Sequence, residues 1–501
     1  MTRQTRRILL TSTATAATLA LGPVAPAFAD PFTPGELVVS RLAYTGTAST
    51  VQVGQVLPGS GKNAVADGTF PGVFSNLSVD SNFGVTAPIF LDQYNASNAL
   101  VGSLALPISQ VVGSVSSKSE GALNLSADGR SLTIMGYGAA PNALDISNSN
   151  VPGIPDSTNK DTAPATYRVV AQVGADGSVK SSPFNAFAGD NPRGAVAANG
   201  LYYMVGNASN NAQSSATVGV QIGTPGQVNP ARVGPFAISQ VTNPATGQPY
   251  SQTGDKVDKD NNFRGVTISG NTLYVSKGSG SNGINTVYQV GASGTLPTPG
   301  DAANTKITIL PGFNTLLARD PASNSYPFGL WFADTNTLYV ADEGPGSLVA
   351  NTSAGLQKWS LVNGKWQLDY VLQDGLGLDQ AYSVSGYPND PSTVGLRNIT
   401  GRVNDDGTVS IFGITATTSG FIETGADPNR LVEITDSLGT TALPGGETFQ
   451  VLQTATAGEV FRGVAFAPED VPEPASLALL GVGLAGAGVV RRRRAGWKPI
   501  S

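Results

Sequence analysis

The sequence predicts an all-β fold: a β-propeller of six blades, closed by pairing the two ends of the chain, with a short C-terminal transmembrane helix after it. Three observations carry this. The 501 residues include 61 Gly and 33 Pro, and short β-rich runs alternate with turn residues, with no amphipathic helix in the body. One strand–turn–strand unit recurs six times. The last copy stops after its first strand, while the chain begins with strands that lack such a partner.

Each copy pairs a small-residue strand with a second strand ending in aromatic or β-branched residues. Residues 120–125 run through Asp128-Gly129 to 132–135, and 193–197 through Asn199-Gly200 to 201–205. Residues 264–268 run through Gly270-Asn271 to 273–275, 328–332 lead to 338–340, and 397–401 run through Asp406-Gly407 to 409–412. Residues 462–466 stop at Pro468. The turns are hairpin chemistry, with Gly or Asn supplying positive φ. Positions 121, 194, 265, 329, 398 and 463 are equivalent and recur every 64 to 73 residues. That exceeds the roughly 40–50 residues of a compact propeller repeat, leaving room for loops. Outer strands are expected at 167–173, 286–290, 356–361 and 431–435. The strands 36–42, 88–93 and 99–106 complete a blade once they join 462–466, which removes two exposed sheet edges. A pair of β-sandwiches would also bury short strands, but the even spacing and the split end copy favour a ring. Seven or eight blades follow if residues 223–259 hide a degenerate copy.

The ends are separate modules. Arg3, Arg6 and Arg7 precede an apolar stretch, and Ala27-Phe28-Ala29 supplies a small-residue cleavage site, so residues 1–29 read as a secretory signal peptide. Residues 30–471 form the propeller domain. Residues 472–501 begin with Pro472-Glu473-Pro474, continue through an apolar run at 475–490, and reach Arg491, Arg492, Arg493 and Arg494. Sixteen residues rise about 24 Å as a helix, short of the ~30 Å hydrocarbon core, which suits a temporary anchor with arginines on the cytoplasmic side. This tail resembles the PEP-CTERM sorting signal of Gram-negative bacteria. The resemblance implies an exosortase partner, transient anchoring in the inner membrane, and delivery to the cell surface or extracellular matrix. It covers about the last thirty residues and implies no activity.

Composition narrows the chemistry. Eight of the 29 basic residues and one of the 35 acidic ones lie in the two ends, so the body carries a net charge of −13. An acidic body argues against nucleic-acid binding. With no cysteine, this exported chain forms no disulfide. With no histidine, it has no Ser-His-Asp triad and no histidine-ligated zinc. Chemistry must run on carboxylates, Lys, Arg, Tyr or Ser, or on a hard metal held by oxygen.

Four copies open their inner strand with arginine: Arg193, Arg264, Arg397 and Arg462, with Glu120 in the equivalent place of the first full copy. In a propeller these positions meet at one channel mouth, where they suit a carboxylate, sulfate or phosphate. The competing reading is a structural ring of arginine–carboxylate pairs between blades. Asp258, Asp260 and Asn262 have D-x-D-x-N spacing, which opens some calcium loops, yet Phe263 and Ser269 stand where such a loop wants Gly and Glu. Asp342-Glu343-Gly344 is a second, equally unspecific carboxylate pair. Gly59-Ser60-Gly61-Lys62 fails the phosphate-loop pattern at Val56 and Asn63. Trp331, Trp359, Trp366, Tyr202 and Tyr203 can stack on sugars, but in strand runs they more often fill a core.

Two functions fit. One is a non-enzymatic surface or matrix protein that binds exopolysaccharide or another envelope component. The other is a calcium-dependent phosphoesterase, since the repeat style is loosely similar to phytase-like propellers. The acidic motifs that would carry calcium ligands across from that family are missing.

Overall fold

In each copy, alternation of small and bulky residues produces the two inner strands of a four-stranded antiparallel sheet, and six such sheets ring a central channel. The computed structural model describes residues 32–469 except 82, 155–162, 208–215, 235–240, 244–245, 249–259, 279, 281, 349–350 and 420–424. The signal peptide with Ala27 and Ala29, and the tail from Pro472 through Arg494, lie outside the described residues, as does the expected transmembrane helix. Among the described residues no helix is long and apolar enough to cross a membrane.

Blade 1 takes its inner strand, Glu459–Phe466, from the end of the chain and its outer strands, Leu37–Ala43, Ile89–Tyr94 and Leu100–Ala105, from the beginning. The inner strands of blades 2 to 6 are Asn124–Leu125, Pro192–Ala198, Val266–Ser269, Pro327–Phe332 and Pro391–Val403. The expected outer strands appear as the third strands of their blades, Arg168–Gly174, Thr286–Val290, Gly355–Val362 and Arg430–Ser437. Residues 221–223 and 231–232 complete blade 3, so the stretch after Ile222 begins as blade edge rather than as another copy.

The closing pair runs antiparallel from Leu37 opposite Phe466 to Ala43 opposite Glu459, with a bulge at Ser40/Arg41. At that bulge Ser40 Oγ accepts the Gly463 N–H at 2.8 Å and donates to the Gly121 carbonyl at 2.7 Å, tying blade 1 to blade 2. Arg41 pairs with Asp92 and Glu459, one from each half of the split blade.

The recurring glycine has a steric cause. A Cβ on Gly265 would lie 2.1 Å from the Phe328 carbonyl oxygen of blade 5, and one on Gly463 would lie 2.2 Å from the Leu123 nitrogen of blade 2. Only a residue without a side chain lets neighbouring inner strands come this close. In blade 6 the strand bulges on both sides of Leu396, and Gly395 takes the close approach instead of Asn398. Asn199-Gly200 has φ of 52° and 75°, the paired positive values of a tight hairpin. Farther out, apolar side chains interleave between blades, as where Phe412 and Ile414 of blade 6 meet Val39 and Val464 of blade 1. Each such side chain contributes roughly 1.5–3 kcal/mol on full burial.

Antiparallel pairing puts the inner-strand starts and the second-to-third connections on one face, here the upper face. The long connection 44–88, with a 3-10 helix at Gly72–Ser78, extends over it, and Phe70 reaches Tyr387 of the connection between blades 5 and 6 at 5.8 Å between ring centres. Both ends of the described chain lie on the lower face: the Phe32 N–H donates to Ala175 O and the Glu469 N–H to Gly129 O, each at 2.9 Å.

Candidate functional site

All four arginines are buried at the channel mouth; Arg193 and Arg264 stand at the starts of their inner strands, whereas Arg462 lies within Glu459–Phe466 and Arg397 midway along the longer strand Pro391–Val403. Their side chains cross between blades. Arg193 of blade 3 donates through Nη1 to the Phe263 carbonyl at 2.9 Å and to Asn262 Oδ1. Arg264 of blade 4 lies 3.5 Å from Glu343 Oε1, and Arg397 of blade 6 lies 3.2 Å from Glu343 Oε2. Glu343, at the end of the second strand of blade 5, therefore holds two arginines with one carboxylate. Burial alone would raise its carboxyl, but Arg264, Lys118 and Arg397 outweigh burial and hold it below the usual range. Arg462 of blade 1 donates through Nη2 to the carbonyls of Val115 and Gly425.

The segment Val115–Ser119, between blades 1 and 2, crosses this mouth. Ser119 Oγ accepts from Arg264 Nη1, and a Cβ on Gly425 would strike the Ser116 carbonyl at 2.2 Å. Lys118 stands in the same segment, partly open to the channel and close enough to Glu343, Arg397, Arg264 and Arg193 to interact with all four. Burial, partly offset by Glu343 and reinforced by the arginines, lowers its ammonium to about 8. Glu120, the residue in the arginine position of blade 2, is buried under hydrogen bonds from Tyr137 Oη and Asn191 Nδ2. Burial raises its carboxyl above the usual range.

Five cations, Lys118, Arg193, Arg264, Arg397 and Arg462, thus cluster around Glu343 and Glu120, with the buried Lys277 and the carboxylates Asp190, Asp260 and Asp427 also within electrostatic reach. Arg193 Nε and Arg462 Nε and Nη1 are buried with no hydrogen-bond partner among the described residues. Burial and then the nearby Arg397 push the Arg462 guanidinium down to about 9. A cavity of about 260 Å³ opens here, lined by Lys118, Arg193 and Arg264 with Ser117, Ser119 and Asn191 among its polar walls. No carboxylate stands among its described lining residues. Cations, hydroxyl groups and an amide thus share the walls of one cavity, an arrangement chemically able to accept the oxygens of a small anion.

Sequence reasoning missed Lys118. Its signal was positional: Lys118 stands two residues before Glu120, as Asn191 and Asn262 stand two before Arg193 and Arg264, and both asparagines contact the site. Of the candidate calcium residues, Asp258 lies outside the described residues, Asp260 is fully buried, and Asn262 Oδ1 receives Arg193. Among the described residues no group of three or more acidic side chains is placed to hold a metal ion. The Gly59 and Ser60 N–H groups meet Asp145 Oδ2 at 3.3 Å and Asp80 Oδ2 at 3.1 Å, carboxylates where a phosphate loop would place phosphate. Tyr202, Tyr203 and Trp366 are buried, and Trp359 stacks on Phe313 with 4.0 Å between ring centres.

The model of the PEP-CTERM protein-sorting motif matches residues 470–494, the stretch of Pro472-Glu473-Pro474, the apolar run and the arginine block. The motif implies an exported protein, processed at the membrane and recognised by an exosortase. No protein of curated function matches the chain in sequence. Among solved structures, a chain of a nidogen–laminin complex is 12% identical with a TM-score of 0.33, over 77% of this chain and 97% of that one. A GH74 enzyme of Niastella koreensis is 12% identical with a TM-score of 0.31, over 74% of this chain and 44% of that one.

Proposed function

We propose that this exosortase-sorted propeller binds an acidic exopolysaccharide of the cell surface or matrix through the cationic pocket at its channel mouth. The observation that carries the reading is the lining itself: Lys118, Arg193 and Arg264 with no carboxylate among the described walls. An anion's oxygens would meet the Arg193 Nε–H that lacks a partner, and would offset the positive charge of the pocket wall. The pocket is small, which suits one charged sugar unit or substituent rather than a length of polymer. The body is acidic overall, so attraction is confined to this mouth. Both chain ends lie on the lower face, so the pocket points away from the membrane while the tail is anchored.

The test is retention of the purified full chain on a uronate- or sulfate-bearing polysaccharide and on a neutral glucan. Binding to the acidic polymer, release by salt, and at least a tenfold loss in Lys118→Gln are expected, tenfold being about 1.4 kcal/mol. Equal retention on the neutral polymer, or unchanged retention of a folded Lys118→Gln, overturns the reading.

A further inference from the structure

A second buried polar cluster lies between blades 5 and 6, away from the channel mouth. Lys358, on the third strand of blade 5, and Asp436, on the third strand of blade 6, are both fully buried, with Lys358 Nζ 3.1 Å from Asp436 Oδ2. Two tyrosines hold the carboxylate from either side: Tyr370 Oη donates to Oδ1 at 2.7 Å and Tyr339 Oη donates to Oδ2. Lys358 Nζ also donates to Tyr370 Oη at 3.0 Å and lies over both tyrosine rings. The carboxyl of Glu447 lies against that of Asp436. Its Oε1 accepts the Ser437 N–H at 3.2 Å, while Oε2 is buried with no donor.

As a plain ion pair this is a poor arrangement. Two desolvated charges gain little over apolar packing, and a second carboxyl at contact adds repulsion unless it holds a proton. Burial and the contact with Asp436 raise the Glu447 carboxyl to about 7, where it can both take and give a proton. A nucleophile, an acyl group, a proton carrier and two hydroxyl donors are thus assembled between the blades, with Lys358 and Asp436 fully buried and Glu447 half-buried beside them.

We propose that Lys358 and Asp436 become joined by an amide bond between blades 5 and 6. A proton passes from the ammonium to the Asp436 carboxylate, leaving a neutral amine. Nζ attacks Cγ of Asp436, and the Tyr339 and Tyr370 hydroxyls stabilise the charge that develops on the two oxygens. Glu447 accepts the second proton from Nζ and returns one to the departing hydroxyl. One N–C bond forms, one C–O bond breaks, and the two ammonium protons leave with that oxygen as water. No oxidant or other reactant is needed. Holding the groups in contact supplies the entropy of the condensation. The bond would staple residues 358 and 436 in an exported chain that has no cysteine for a disulfide.

The experiment is mass spectrometry of the purified, folded full chain beside Glu447→Gln and Lys358→Arg. After correction for each substitution, the wild type is expected to be lighter than both variants by one water, with the processing of the ends cancelling. Its digest should lack cleavage after Lys358 and contain a branched peptide joining the segments around Lys358 and Asp436. Lys358→Arg keeps the buried charge but cannot form the bond, so it serves if Glu447→Gln does not fold. A folded wild type with the unmodified mass, or with normal tryptic cleavage at Lys358, overturns the proposal.

Discussion

Glu343 is the residue on which the channel mouth turns, because it faces Arg264 and Arg397 together. Replacing it with glutamine removes the carboxylate that these two buried guanidinium groups share. Breaking a buried pair costs roughly 3–5 kcal/mol, so Glu343→Gln is expected to lower the unfolding free energy in urea by about that much. The pH dependence has a definite sign. A carboxyl held below its usual 4.5 contributes stability above that pH and loses the contribution as the pH falls toward the folded value. Wild type and Glu343→Gln should therefore converge in stability on acidification. Lys118 behaves oppositely. Its ammonium is lowered from 10.5 to about 8, so the unfolded chain holds the proton more tightly and stability rises with pH across that window. Anion binding should weaken as the pH passes about 8 and the charge is lost. Lys118→Arg, which stays charged, should flatten that fall in a binding titration.

At the scale of elements, the inner strands are held apart by nothing but backbone where the repeat places glycine. Gly265→Ala would push a methyl group into the Phe328 carbonyl, and overpacking of this kind costs typically 1–3 kcal/mol. Chemical denaturation should show the loss, while Gly439→Ala, with open space around it, should change little. These glycines explain why the repeat was legible in the sequence: a steric demand at one position in every blade leaves the same letter each time. The arginines were legible for a related reason, since each occupies the position just before that glycine or its counterpart. Glu343 was visible only as an acid at a strand end, because its pairing with Arg264 and Arg397 depends on how three blades meet. Lys118 was legible only through its place two residues before Glu120, for it comes from a connector whose path across the mouth follows from closure of the ring. The Lys358–Asp436 contact left no local pattern either, because it joins third strands of successive blades.

At the scale of the molecule, two ends of one chain make one blade, and the same arrangement sends both ends from the lower face. Ending the chain after Glu469 removes the sorting tail but no described strand. That form is expected to unfold at the same denaturant concentration as the full chain and to fractionate away from the membrane. Ending it after Thr456 removes the inner strand Glu459–Phe466, exposes the edge at Leu37–Ala43, and should abolish the cooperative transition. Export would then leave the cationic mouth turned toward whatever polymer surrounds the cell. Calorimetric titration of the folded chain with a short uronate oligosaccharide tests that claim most directly. Saturable binding that weakens with added salt and is lost in Lys118→Gln is the predicted result. A wild type that takes up no acidic sugar at low salt, or a folded Lys118→Gln that binds it equally well, would contradict the account.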